Sequence, residues 1–305
     1  QELPDGLITR PTLFWDYISD RAGKAKCEVS YQTAGMSWTA EYVATLNDAE
    51  DKLDLSGWSS IDNRSGKTYT DARLKLVAGD IHRATRPRPQ PMYKTVGLEM
   101  AVMDAGFQEK AFFEYHLYTL PRPSTIANNE IKQLSLFPPA QAGVSKEYFY
   151  RASSGNKKVD VKLRFANSQA NGLGMPLPGG RVRIFKNDSD GSTILLGEDR
   201  IDHTPRDEEL LLTVGQAFDL VAEETTLDRR NLSKITTEYD YKISLRNRKD
   251  EDATIHVIKG LGFDWTISKT SHPYEKKSAQ EIQFDIEVPA GKEVELLYTV
   301  RYDRQ

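Results

Sequence analysis

Period-two alternation of apolar and polar residues runs through this 305-residue chain from end to end, and it limits the possible folds more than any other feature. Cys27, Val29 and Tyr31 alternate with Lys26, Glu28 and Ser30, and Leu74 and Leu76 with Arg73 and Lys75. Val159, Val161, Leu163 and Phe165 alternate with Asp160, Lys162 and Arg164. Tyr239, Tyr241, Ile243 and Leu245 follow the same rule, as do Ile282, Phe284, Ile286 and Val288. Such spacing puts every second side chain on one face, so each segment reads as a strand with one buried and one wet side. Helical spacing is confined to Gly97 to Lys110, which reads equally as a strand and a loop, and to Asp219 to Asn231, and neither has a good pair of caps. Turn chemistry separates the strands at 63–66, 187–191 and 289–291. The expectation is an all-β chain of two or three immunoglobulin-like antiparallel β-sandwich modules with little helix.

A weak internal repeat supports modules. A strand ending in Ile61-Asp-Asn-Arg64, a polar turn and Ala72-Arg-Leu-Lys-Leu-Val-Ala-Gly79 resemble Tyr241-Lys-Ile-Ser-Leu-Arg-Asn-Arg248, a polar turn and Ala253-Thr-Ile-His-Val-Ile-Lys-Gly260. Val161-Lys-Leu-Arg-Phe-Ala-Asn167 and Arg181-Val-Arg-Ile-Phe185 form a looser third copy. In each copy a strand ends at an asparagine whose side chain can cap its own turn. Common ancestry and convergence on one hairpin solution explain this equally well. The proline-rich strap Arg86-Pro-Arg-Pro-Gln-Pro91 reads as an extended surface crossing. The expected domains are 1–140 with that strap, 141–230, and 231–305, the last able to share a sheet with the first.

Composition excludes several classes. The single cysteine, Cys27, removes a disulfide scaffold, a thiolate zinc site and a CxxC pair, and its alternating position predicts a small buried hydrophobe. Forty-one Lys+Arg against 45 Asp+Glu give a formal charge of −4, no basis for a nucleic-acid partner. No run approaches the roughly 18–20 apolar residues of a spanning helix. Gln1 to Arg10 lack the basic and apolar regions of a signal peptide, which would therefore lie upstream.

Several segments together resemble a known family. They include Tyr31-Gln-Thr-Ala-Gly-Met-Ser-Trp-Thr-Ala-Glu-Tyr42, Leu55-Ser-Gly-Trp58, Tyr115-His-Leu-Tyr-Thr-Leu120, Pro176-Leu-Pro-Gly-Gly-Arg-Val-Arg-Ile184, Gly197-Glu-Asp-Arg-Ile-Asp-His-Thr-Pro205 and Val214-Gly-Gln-Ala-Phe-Asp219. In them the chain is similar to the bacterial domain of unknown function 4139, some of whose members are labelled mucoidy-inhibitor-like. The resemblance implies a periplasmic, secreted or other cell-envelope location and a further region upstream, often with a coiled coil. It implies no reaction, cofactor or ligand.

Candidate chemistry is sparse. Glu198, Asp202 and His203 combine oxygen and nitrogen donors suited to a divalent cation, but a strand would put His203 on the opposite face, with Arg200 as an internal ion-pair partner. Asn187-Asp-Ser-Asp-Gly191 has the composition of a calcium loop without its terminal glutamate, and reads as a hairpin turn. Glu114 and His116 share one strand face and, with Asp202 and His203, are the acid–base group to test. Cys27 and the serines lack a nucleophile motif, and no phosphate loop exists, so no cofactor is expected. Trp58 and Trp265 are the candidate binding aromatics, although Trp38 and Trp58 fall in strand patterns where core filling is the default. The favoured reading is a binding or structural module engaging an envelope protein or glycan. The alternative is a hydrolase acting on envelope polymers.

Overall fold

A computed structural model describes residues 16, 18–20, 22–24, 26–79, 107–262 and 264–303. Its elements begin with strands β1 (Met36–Leu46), β2 (Lys52–Asn63), β3 (Tyr69–Ala72), β4 (Lys75–Ala78), β5 (Gln108–Phe112), β6 (Tyr115–Thr119) and β7 (Ser124–Ile126). There follow β8 (Glu130–Gly143), β9 (Ser145–Ala152), β10 (Lys158–Ala166), β11 (Gly180–Asn187), β12 (Thr193–Ile201) and β13 (Glu209–Asn231). The last are β14 (Thr236–Asn247), β15 (Ala253–Gly260), β16 (Trp265–Thr270), β17 (Glu275–Ser278), β18 (Glu281–Val288) and β19 (Glu293–Asp303). A single 3-10 turn, Gln169–Asn171, is the one helical element among the described residues. The chain is all β, as its alternation requires.

The chain divides into two compact units, Gln1–Thr39 with Trp58–Phe137, and Ala40–Gly57 with Pro138–Gln305. The first holds β3 paired with β7, and β6 between β4 and β5. The second holds a nine-stranded sheet in the order β16-β19-β14-β13-β10-β9-β15-β18-β17. Segments 141–230 and 231–305 therefore meet in one sheet. Its neighbours are antiparallel except β9 and β15, where Tyr150 lies opposite Val257 in a parallel pair. The sheet closes on its own core: Phe284 of β18 and Tyr298 of β19, from strands near opposite ends of the order, meet with ring centroids 5.4 Å apart and planes tilted by 40°. A five-stranded sheet has the order β12-β11-β1-β2-β8, with Ala40 to Leu46 of β1 running parallel to Gly180 to Lys186 of β11.

The repeat has a structural cause. Asn63, Asn167 and Asn247, at or just past the ends of β2, β10 and β14, have no exposed surface. Asn247 Nδ2 donates to the carbonyls of Glu251 (2.8 Å) and Val288 (2.9 Å), and its Oδ1 accepts from the Lys249 N–H (2.9 Å). Asn63 repeats this with the carbonyls of Lys67 (2.9 Å) and Ala127 (2.9 Å) and the Ser65 N–H (3.1 Å). Asn167 spans a longer loop, donating to the carbonyls of Met175 and Pro205 (both 2.7 Å) and accepting from the Gly174 N–H (3.2 Å). Each side chain supplies the bonds that buried turn backbone would otherwise lack.

Two expectations are corrected. Cys27, Val29 and Tyr31 are exposed and in no strand, because alternation builds a strand only where a neighbour completes its ladder; Cys27 is a free, exposed thiol. Asp219 to Asn231 is strand, not helix: its inward Leu220 and Ala222 keep period two, and Leu220 to Asn231 pair with β14. Of the segment 97–110, residues 108–110 take the strand alternative, since β5 begins at Gln108. Residues 97–106 and the strap at 86–91 lie outside the described residues.

Replacing Asn247 by alanine deletes two donated bonds and one accepted bond at a buried site. It should cost about 2–4 kcal/mol, because the buried Val288 carbonyl loses roughly 1–3 and the part-buried Glu251 carbonyl and Lys249 N–H recover part of their loss from water. Urea unfolding of Asn247→Ala beside the exposed control Asn231→Ala, expected within about 0.5 kcal/mol of the parent, checks this.

Candidate functional site

Two irregular strands border a cleft of the second unit, a hollow of about 620 Å³. In the β10–β13 ladder, Gln216 pairs with Asp160 and Val221 with Lys158, so Ala217 to Leu220 face a single residue, Val159. Val214 is likewise left over between Thr213 and Gly215. Along β12, Gly197 pairs with Ile184 and Leu195 with Phe185, so Leu196 is the extra residue. Bulges of this kind turn a side chain out of the ladder. Leu196, Val214 and Phe218 all line the cleft, and Phe218 is 95% exposed.

Gly197 fixes the crossing of β12 over β13. A Cβ there would meet the Val214 carbonyl oxygen at 1.9 Å, so the backbones approach as closely as they do only because position 197 has no side chain. The Thr213 N–H donates to Asp199 Oδ2 at 2.6 Å beside this crossing.

Leu46, Val161 and Leu163 give the cleft apolar walls, and two asparagine-pinned turns supply its charges. Asn47 Oδ1 accepts from the N–H groups of Asp51 (3.0 Å) and Lys52 (2.9 Å), ordering the loop that carries Asp48 and Glu50. Glu50 adopts a left-handed backbone, φ 59°, which costs a non-glycine residue about 1–2 kcal/mol. Its carboxylate pairs with Lys146 and, at 2.6 Å, with Lys186. Burial alone would raise the Glu50 pKa, but the two lysines outweigh it and hold the group below the ordinary glutamate value. Across the cleft, the turn pinned by Asn247 presents Lys249 and Glu251, which pair; Lys249 also donates to the Tyr148 hydroxyl (2.7 Å) and lies 5.0 Å from that ring's centre. Lys249 holds Glu251 below the ordinary glutamate value. Asp48 and Asp219 complete the lining, and among the described residues neither carboxylate has a hydrogen-bond or ion-pair partner. The cleft therefore offers apolar walls, an exposed phenyl ring and uncompensated negative charge.

The residues singled out in the sequence lie elsewhere. Glu114 sits exposed in the tight turn between β5 and β6, and His116 Nδ1 lies 2.8 Å from Oε1 of Glu109 across that hairpin. Both belong to the first unit, whereas Asp202 and His203 belong to the second. His203 Nδ1 accepts from the Gly179 N–H (3.0 Å), and the Asp202 carbonyl accepts from the Thr204 hydroxyl (2.9 Å), which ties both into a turn after β12. Glu198 pairs with Arg183 (2.9 Å) of the neighbouring strand rather than with Arg200, since cross-strand neighbours on one face are closer than residues two apart. Among the described residues no three His, Cys, Asp or Glu side chains gather into a possible metal site. Residues 187–191 form the β11–β12 hairpin turn, closed by the Asp188 N–H on the Ser192 carbonyl (2.8 Å). Trp58 is half-buried. Trp265 packs against the core, donates from Nε1 to the Ala279 carbonyl (2.7 Å), and has Lys276 over its ring at 4.8 Å.

Sequence reasoning also missed a buried ion pair. Lys259 Nζ lies 2.6 and 2.8 Å from the two Glu224 oxygens, Tyr298 donates to the same carboxylate (2.7 Å), and Lys259 sits 4.5 Å from the Tyr241 ring centre. Burial raises the pKa of Tyr150 to about 12 and that of Tyr241 and Tyr298 further, with Glu224 adding to each. All three hydroxyls stay protonated at neutral pH. The cluster satisfies its own polar groups and forms an internal brace.

Residues 27–303 match a family described as Domain of unknown function (DUF4139). No curated protein and no solved structure matches the chain.

Gly197→Ala should lower the stability of the second unit by about 2–3 kcal/mol, as overpacking against backbone does. Gly215→Ala, whose Cβ would meet nothing within 4 Å, should be near neutral. Denaturant midpoints compare the two. Glu50 and Glu251 titrate lower in the folded chain than in the unfolded one, so the stability they contribute is present above the ordinary glutamate range, about 4.3, and is lost as pH falls through their depressed values. Unfolding measured from neutral to acid pH should show a shallower loss for Glu50→Gln than for the parent.

Proposed function

We propose that this chain, which belongs to the DUF4139 family, is a binding module whose second unit grips a protein segment bearing apolar residues beside lysine or arginine. The carrying observation is Phe218, held in water by a four-residue excursion of β13 at the lip of an apolar-walled cleft. A bare phenyl group in water is unfavourable by about 1.5–3 kcal/mol relative to burial, and exposed apolar surface beside a cleft marks recognition. The free carboxylates of Asp48 and Asp219 set the sign of the ligand's charge.

A protein segment suits this face better than a glycan. Sugar binding uses an open aromatic face, and Trp265 has one ring face under Lys276 while it packs against the core. Binding is also preferred to hydrolysis, because His116 is engaged by Glu109 and His203 by the Gly179 N–H, and neither carboxylate of the cleft's free pair stands beside an imidazole. The proposed compartment is the one the family resemblance implies, periplasmic or secreted. The immunoglobulin-like character of the modules is part of the same proposal and accords with antiparallel sheets closed around a core.

Selection of a displayed library of random ten-residue peptides on the full chain tests the reading. Enriched peptides should combine apolar residues with Lys or Arg, and Phe218→Ala should weaken them at least about tenfold, as hot-spot aromatics do. Enrichment of acidic peptides, or equal enrichment on Phe218→Ala, would overturn it.

A further inference from the structure

The unit that carries the cleft also carries a protruding knob of the chemistry the cleft would take. β13 and β14 run on as a hairpin whose tip is Leu232-Ser233-Lys234-Ile235. Leu232 is 52% exposed and Ile235 58%, and Leu227, the unpaired residue of a bulge in the same hairpin, is 54% exposed. The tip is ordered rather than loose: the Leu232 N–H bonds the Thr236 carbonyl (2.9 Å), and the Ser233 hydroxyl accepts from the Thr236 N–H (3.0 Å). It has not been shaped for solubility, since two apolar side chains, Leu232 and Ile235, stand in a four-residue turn that polar residues would normally occupy.

Charge separates the tip from an ordinary sticky loop. Arg230 is consumed by Asp228 (2.7 Å), Glu238 (3.4 Å) and Asp240, and Arg229 lies over the Tyr239 ring at 5.6 Å. Lys234, between Leu232 and Ile235, is exposed and has no hydrogen-bond or ion-pair partner among the described residues. An apolar knob with one uncompensated cation thus matches an apolar-walled cleft with uncompensated carboxylates at Asp48 and Asp219.

A tip cannot reach its own cleft. Val221 to Asn231 is held to β14 residue by residue, apart from the bulge at Leu227, and ten strand residues span about 30 Å. The knob and Phe218 sit at the two ends of one stiff element.

We infer that the occupant of the Phe218 cleft is the Leu232–Ile235 tip of a second copy of this chain, in a head-to-tail contact. This rests on the reading of the cleft as a site for an apolar, basic segment, and it names the partner. A contact between two different patches leaves a free cleft at one end and a free tip at the other, so copies add on until a ring closes or an open chain forms.

Sedimentation velocity on the full chain over a hundredfold range of concentration tests the inference. The parent should show a sedimentation coefficient that climbs past that of a dimer. Ile235→Asp, with a dead tip, and Phe218→Asp, with a dead cleft, should each remain monomeric alone. Mixed in equal amounts they should form one dimer and stop, because one intact cleft then meets one intact tip. Lys234→Glu and Asp219→Lys, milder changes at exposed positions, should give the same outcome, and unchanged circular dichroism shows that each variant folds. A parent that stays monomeric at every concentration overturns the inference, as does a mixture of the two dead variants that fails to pair. If peptide selection on the cleft succeeds while the parent stays monomeric, the inference falls and the cleft reading stands. If both fail, the cleft reading falls with it.

Discussion

A backbone group buried at the end of a strand has no water to bond, and in this protein asparagine side chains meet that need where the chain turns. Asn63, Asn167 and Asn247 each donate to two or more carbonyls and accept from an amide, and all three are fully buried. The consequence reaches the cleft. The turn pinned by Asn247 carries Lys249 and Glu251, and the turn pinned by Asn47 carries Asp48 and Glu50, so one wall's charges and the other's are set by the same device. Those charges are positioned by backbone turns rather than by flexible side chains alone, which is the arrangement that keeps a recognition face preorganised.

The cleft exists because two strands break their own regularity. Had β12 and β13 kept an even ladder, Leu196 and Phe218 would each lie in a sheet face and Gly197 would have no reason to be glycine. The bulges convert a flat crossing into a hollow, and the long hairpin that follows in β13 carries the complementary knob well away from it. A single strand of 23 residues thus carries Phe218 of the cleft and leads directly into the tip at Leu232–Ile235.

What was legible in the sequence follows from what alternation encodes. Ile282 to Val288 and Tyr239 to Leu245 were readable because period two directly reports which face is buried. The asparagine repeat was readable at Asn63 and Asn247, where the bonded amide and carbonyl lie two and four residues on, and fainter at Asn167, where they lie seven and eight residues on. Bulges were not readable: the extra residue is defined by the partner strand's register, which is non-local. Val214-Gly-Gln-Ala-Phe-Asp219 stood out as a motif, yet only the pairing with β10 shows why Phe218 is outside. The Lys259 and Glu224 pair was hidden for the same reason, since 35 residues separate partners that the sheet brings within 2.6 Å. Cys27 to Tyr31 misled in the opposite direction, because a good pattern without a neighbouring strand has nothing to pair with.

The central claim is that position 218 faces a protein segment in the working molecule. The most direct measurement replaces Phe218 with a photo-reactive phenylalanine analogue in living cells, irradiates, and maps the attached peptide by mass spectrometry. The account predicts a covalent adduct at an apolar stretch next to lysine or arginine, with the Leu232–Ile235 turn of another copy prominent among the mapped sites. The absence of any protein adduct at 218, while the same probe at the exposed Ile131 captures neighbours, would contradict it.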